Sequence, residues 1–210
     1  MLLYYVTDRK SFPGTEAQQR DALLRRVAEA ASASVDWIQL REKDLSSRDL
    51  EYLAVEVVRT VRESSATTKL LINGRTDVAL ACGADGVHLP AGELAPSEVR
   101  ALWMRSRDSE PTIGVSAHSA ADICQAQAQG ADFAVLAPIF EKVQTSTAGI
   151  GLAALRFVCA EASPFSVLAL GGVTLGNARS CIEAGAAGVA GIRLFQQGDA
   201  LETVRRLRAP

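Results

Sequence analysis

Short apolar runs and helix-period segments alternate eight times along this 210-residue chain, and that alternation limits its fold more than any other feature. The apolar runs are LLYYV (2–6), VDWIQL (35–40), KLLI (69–72), GVHL (86–89), TIGVSA (112–117), FAVLA (133–137), SVLAL (166–170) and GVAGI (188–192). Helical periodicity covers 16–33, 47–64, 75–82, 96–106, 119–129, 150–161, 175–184 and 194–208. Strands separated by helices pair in parallel, because a parallel neighbour is reached only through a crossover. A weak repeat, GADGVHL (83–89), GADFAVL (130–136) and GAAGVAG (185–191), reuses one joint. In each copy a glycine closes a helix in the left-handed conformation, and a small residue leads into a buried strand. Eight such units predict one α/β domain over 1–210, a closed (β/α)8 TIM-type barrel. The rival is an open doubly wound sheet, and the lack of a G-x-G-x-x-G fingerprint disfavours it.

Composition excludes several function classes. Hydrophobic residues make up 48% of the chain, enough for a large core and against disorder. A net charge of −2 with no basic stripe gives nucleic acid no footprint. No apolar run approaches the length of a membrane-spanning helix. MLLYYVTDRK has no basic leader before its apolar residues and reads as a strand, not a signal peptide. Cys82, Cys124, Cys159 and Cys181 are scattered, with no C-x-x-C pair. They read as buried thiols of a cytoplasmic protein, not as metal ligands. No pattern specifies an oligomeric state.

In a barrel of this type the chemistry collects where strands end. Strand alternation through QLREK puts Gln39, Arg41 and Lys43 on one side and Leu40 and Glu42 on the other. Two cations on an inward face need a partner, and a guanidinium beside an ammonium suits phosphate or pyrophosphate. An ion pair with Asp8 or Glu93 is the competing role. The third strand ends in Asn73, Gly74 and Arg75, the fourth brings His88, and the fifth brings Ser116 and His118. LALGGVTLGN offers Gly171 and Gly172 before a helix start, a place where backbone N–H groups accept a phosphate. Arg193 follows the eighth strand beside the same spot.

These residues resemble the thiamine phosphate synthase and TenI (thiazole tautomerase) family. The likeness rests on YYVTD (4–8), QLREK (39–43), LLINGRTDVAL (70–80), GADGVHLP (83–90), IGVSAHS (113–119), GADFAVLAPIF (130–140) and LALGGVTLGNA (168–178). It implies a thiazole phosphate ligand, held with help from Gly171 and Gly172. It further implies that Gln39, Arg41, Lys43 and Asn73 bind a pyrimidine diphosphate, with Ser116 near the leaving group. The synthase joins these two substrates, releases pyrophosphate and uses Mg²⁺. Its metal-binding Asp after strand 3 corresponds here to Gly74, and its second carboxylate to Glu93. Its lysine after strand 6 corresponds to Thr145, with Lys142 three residues earlier. Asp77 is a candidate replacement ligand.

NGR and LP-x-G resemble the tautomerase branch more closely. That enzyme shifts a proton and needs no metal or other cofactor, though its catalytic histidine corresponds here to Pro138. The expected activity is therefore tautomerase-like, with His118, His88 and Ser116 as catalytic candidates. Arg75 and Arg193 join the substrate-binding set. The synthase is the alternative, favoured by the retained QLREK, and Glu93 is its metal candidate. A non-catalytic sensor of a thiamine precursor is the third reading.

Overall fold

The structure is a computed structural model that describes residues 1–141 and 148–209. Eight parallel strands close on themselves in chain order: β1 (Leu2–Val6), β2 (Trp37–Leu40), β3 (Lys69–Asn73), β4 (Gly86–Leu89), β5 (Thr112–Ala117), β6 (Phe133–Leu136), β7 (Ser166–Ala169) and β8 (Gly188–Gly191). Closure is made by β1 against β8, where Leu2 pairs with Gly188 and Tyr4 with Ala190. The expected barrel is the observed one. The helices are α1 (Glu16–Ser32), α2 (Ser47–Ser64), α3 (Thr76–Cys82), α4 (Pro96–Ser106), α5 (Ala120–Ala128), α6 (Gly151–Ala162), α7 (Ala178–Glu183), α8 (Arg193–Gln196) and α9 (Ala200–Arg208).

Local chemistry sets the ends. Thr15 and Gln18 form a reciprocal cap on α1, and Ser46 caps α2. The final helical segment, expected as one piece over 194–208, is two. Gly198 takes a positive φ of 70°, and Asp199 restarts the helix by accepting from Glu202 N at 2.7 Å. Helix α7 begins three residues later than its periodicity suggests, because the Asn177 side chain accepts from Thr174 N and holds those residues in a turn. Outward strand residues such as Leu3, Ile38, Leu70, Val87 and Ile113 pack under the helices. Cys181 is buried and Cys82 and Cys159 are half-buried, but Cys124 is exposed, so the expectation of four buried thiols fails at that position. It lies on the solvent side of α5.

Candidate functional site at the barrel mouth

Inward-facing residues divide the barrel into an apolar floor and a polar top. Tyr4, Leu71, Phe133, Val135, Leu168 and Ala190 form the floor, with Trp37 stacked on Phe133 at 4.2 Å between ring centroids. The polar top consists of Gln39, Asn73, His88 and Ser116. Gln39 Nε2 donates to Asn73 Oδ1 at 2.8 Å, which orients both amides. His88 sits 3% exposed between two hydroxyls, with Nδ1 3.2 Å from Tyr4 Oη and Nε2 2.9 Å from Ser116 Oγ. Burial, and secondarily the Arg41 cation, push its pKa down to about 3. His88 is therefore a neutral interior group, and it does not open onto solvent as a proton carrier for neutral pH. His118 is exposed on the rim, its Nδ1 2.8 Å from the Ala137 carbonyl and its backbone N–H donated to Asp122. Tyr4 was not foreseen. The signal was there, since alternation in LLYYV turns one tyrosine tip into the barrel.

Charge is sorted by the pleat at the end of β2. Glu42 turns outward and is buried, accepting from Thr7 Oγ1 at 2.6 Å and from Arg9 N and Nη1 at 3.0 and 3.1 Å. Arg9, only 2% exposed, also binds Asp44 and Glu16, and Lys10 adds to both. Arg41 turns the other way, its backbone N–H donated to Thr7 Oγ1 at 2.9 Å. Among the described residues neither Arg41 nor Lys43 makes an ion pair, so the competing role with Asp8 or Glu93 is not seen. Arg41 is half-buried and Lys43 exposed.

Arg75 is held elsewhere. It pairs with Asp77 through Nε and Nη2 and donates from Nη1 to Ser47 Oγ at 2.8 Å, between the first turns of α2 and α3. Arg75, expected in the substrate-binding set, is committed here to this pair, and Asp77 equally so. Arg193 is exposed as the first residue of α8, at the end of β8. Lys142 and Thr145 lie outside the described residues.

The loop after β7 needs its glycines twice over. Gly171 and Gly172 have φ of 95° and 68°. A Cβ on Gly171 would lie 2.8 Å from Pro138, and one on Gly172 would lie 2.7 Å from Phe140 Cβ. The crowding comes from the protein's own β6 loop, which is zipped to this one by Ile139 N to Leu170 O and Phe140 N to Gly171 O. A side chain at either glycine would therefore break this packing. Among the described residues, the N–H groups of Gly171, Gly172 and Val173 donate to no protein acceptor.

Gly74 faces Glu93. A Cβ there would lie 3.2 and 3.4 Å from the two Glu93 carboxylate oxygens, and the residue holds φ at 67°. No group of three or more potential metal-ligating side chains occurs among the described residues. Position 74 has no donor, Asn73 Oδ1 already accepts from Gln39, and Asp77 is paired. Without a substrate phosphate, the lone Glu93 offers too few ligands for a resident Mg²⁺, which is held by one or two carboxylates together with substrate phosphates.

A profile of the family described as "Thiamine monophosphate synthase" matches residues 3–195. The chain belongs to that family. The chain is 39% identical over 194 residues to "Putative thiamine-phosphate synthase 2" of Aquifex aeolicus, covering 92% of this chain and 96% of that one. The "Thiamine-phosphate synthase" of Methanoculleus marisnigri is 39% identical over 209 residues, covering 98% and 93%. A solved thiamine phosphate pyrophosphorylase from Pyrococcus furiosus superposes with a TM-score of 0.80 at 27% identity, covering 99% of this chain and 93% of that chain. The chain is an enzyme of the family, and the non-catalytic reading gains no support. The expected tautomerase activity gains no specific support either, since the relatives named here are synthases.

Proposed function

We propose that this enzyme joins a pyrimidine carrying a methylene diphosphate to a thiazole phosphate, with release of pyrophosphate. The reading is supported by Arg41, close enough to His88 to lower its pKa, and by Lys43 two residues on, neither in an ion pair among the described residues while Arg9 takes Glu42, Asp44 and Glu16. A tautomerase, whose substrate carries a carboxylate and one phosphate, has less need of a diphosphate clamp than a synthase has.

The bond between the pyrimidine methylene and the diphosphate oxygen breaks with its electron pair going to pyrophosphate. The thiazole nitrogen then forms the new C–N bond. Charge grows on the leaving oxygens, so fixed cations that bind them lower the barrier. Arg41 and Lys43 hold the diphosphate, and Gln39 with Asn73 offer an oriented amide pair to the pyrimidine. The N–H groups of the Gly171–Gly172 loop, with Arg193, take the thiazole phosphate. Glu93 faces Gly74 beyond the end of β3, and no step is assigned to a metal. We place the reaction in the cytoplasm, where free cysteines are the rule. No described helix is long and apolar enough to cross a membrane.

The test is a product assay with both substrates, with and without Mg²⁺, beside an isomerisation assay on the thiazole carboxylate phosphate. Thiamine phosphate and pyrophosphate in equal amounts support the reading. Isomerisation without condensation overturns it.

A further inference from the structure

The structure assigns Tyr4 as a positioning residue: its hydroxyl fixes His88 in the Nε2–H tautomer, and that tautomer makes Ser116 a hydrogen-bond donor into the mouth. The proposal rests on the synthase reading for its consequence, though not for its geometry. Tyr4 is fully buried in the apolar floor, and His88 Nδ1 at 3.2 Å is its one hydrogen-bond partner among the described residues. Burial keeps the phenol protonated. A buried O–H with no acceptor is costly, so Nδ1 accepts it and the ring proton resides on Nε2. Nε2–H then donates to Ser116 Oγ at 2.9 Å.

This ordering decides the sign of what Ser116 shows a substrate. With Nε2–H, the serine oxygen accepts from below and its own proton is free to point to the mouth. A phosphate oxygen arriving there is attracted. With the opposite tautomer, Ser116 spends its proton on Nε2 and presents lone pairs to the anion, which repels it. A chain of aligned hydrogen bonds also polarises its terminal hydroxyl. Tyr4 thus acts from the floor of the barrel on a group it does not touch.

The experiment is ¹⁵N NMR on histidine-labelled protein, made readable because the chain has two histidines, His88 and His118. His118→Asn assigns the signals by removing the exposed one. His88 should show an unprotonated Nδ1 and a protonated Nε2, unchanged between about pH 5 and about pH 8. A protonated Nδ1 or a charged ring in that range overturns the relay. Tyr4→Phe should give a mixture of tautomers and lower kcat about three- to tenfold, the worth of one neutral hydrogen bond, at unchanged KM for the thiazole phosphate. Ser116→Ala should lower kcat by at least as much, and the double variant should add nothing to it. A folded Tyr4→Phe protein that keeps the single tautomer and its kcat removes Tyr4 from the role. If the wild type makes no thiamine phosphate, the functional reading fails, while the tautomer spectrum still decides the relay.

Discussion

Two arginines that follow neighbouring strands, Arg9 after β1 and Arg41 after β2, meet opposite fates. Arg9 is buried beneath Glu42, Asp44 and Glu16, and its guanidinium holds Asp44 well below the usual carboxylate range. Arg41 has no acid among the described residues, though Glu42 is its neighbour in sequence. The pleat of the chain separates them: Glu42 turns out to Arg9 and Arg41 turns in. The lesson is that a cation's role is set by where its potential partners are sent. With these acids bound in the Arg9 cluster, Arg41 and Lys43 have no ion-pair partner among the described residues.

The largest effect should come from breaking the closed side. Arg9→Met leaves Glu42 buried with only Thr7 and a backbone N–H, and burial already raises its carboxyl above the usual range. Removing one member of a buried ion pair costs about 3–5 kcal/mol. At roughly 2–4 °C per kcal/mol for a chain of this size, thermal melts should fall by about 6–20 °C. Pyrophosphate affinity in the protein that remains folded should change far less. A variant of wild-type stability would show that the cluster is ornamental.

His88 reports the open side through pH. Its folded pKa of about 3 lies below the value near 6.5 that an unfolded histidine has. Between those values the unfolded chain binds a proton that the folded chain refuses, so stability rises with pH across that window and is lost on acidification. From pH 7 to about pH 4 the loss from this group is about 3 kcal/mol. His88→Gln should flatten the slope of stability against pH. Arg41→Met should let the His88 pKa rise, because the cation is its second depressing influence after burial. An unchanged slope in His88→Gln would place the acid sensitivity elsewhere.

Breaking the open side should be gentle on the fold and hard on the ligand. Replacing Arg41 and Lys43 together by Met should shift melts little, since neither is in an ion pair among the described residues. Pyrophosphate binding by calorimetry should weaken at least about tenfold, or 1.4 kcal/mol. Its dependence on salt should shrink as two screened attractions are removed. Full affinity with an unchanged salt series would return both residues to a structural role.

The barrel could be read in the sequence because each joint announces itself. Gly83 caps α3 in the left-handed conformation at φ 80°, as the GAD repeat implies. The sorting of Arg41 from Glu42 was equally readable, because alternation of two needs no tertiary information. What escaped depended on neighbours distant in sequence. Whether His88 rises to the mouth or stays inside is decided by Tyr4 below it and Ser116 beside it, 84 and 28 residues away. Arg75 looks like a strand-end ligand until the first turns of α2 and α3 meet and give it Ser47 and Asp77. Arg9 carried one clue only, that Glu42 and Asp44 on the outward side of the same strand end would need a cation.

Gly74 offers the sharpest version of the contrast, because there an acid faces a position with no side chain. Glu93 makes no ion pair among the described residues, and a Cβ at position 74 would come within 3.2 Å of its carboxylate. Gly74→Asp therefore sets two like charges face to face and asks a side chain to adopt φ near 67°. Asp tolerates that region better than most residues, and strain with repulsion together should cost about 2 kcal/mol. The expected fall in the melting temperature is roughly 4–8 °C. Gly74→Asn carries the same backbone demand without the charge and isolates it. Mg²⁺ added to the Asp variant gains a second carboxylate and should restore most of the difference from the Asn variant. The same addition should leave wild type and Gly74→Asn unmoved, as one carboxylate gives the ion too few ligands. If Asp and Asn variants melt alike and neither responds to Mg²⁺, the two positions do not form a cation site even when both are acidic. Glu93 would then be a solvated loop residue, and the unpaired Arg41 and Lys43 beyond β2 would have no acidic counterpart in it.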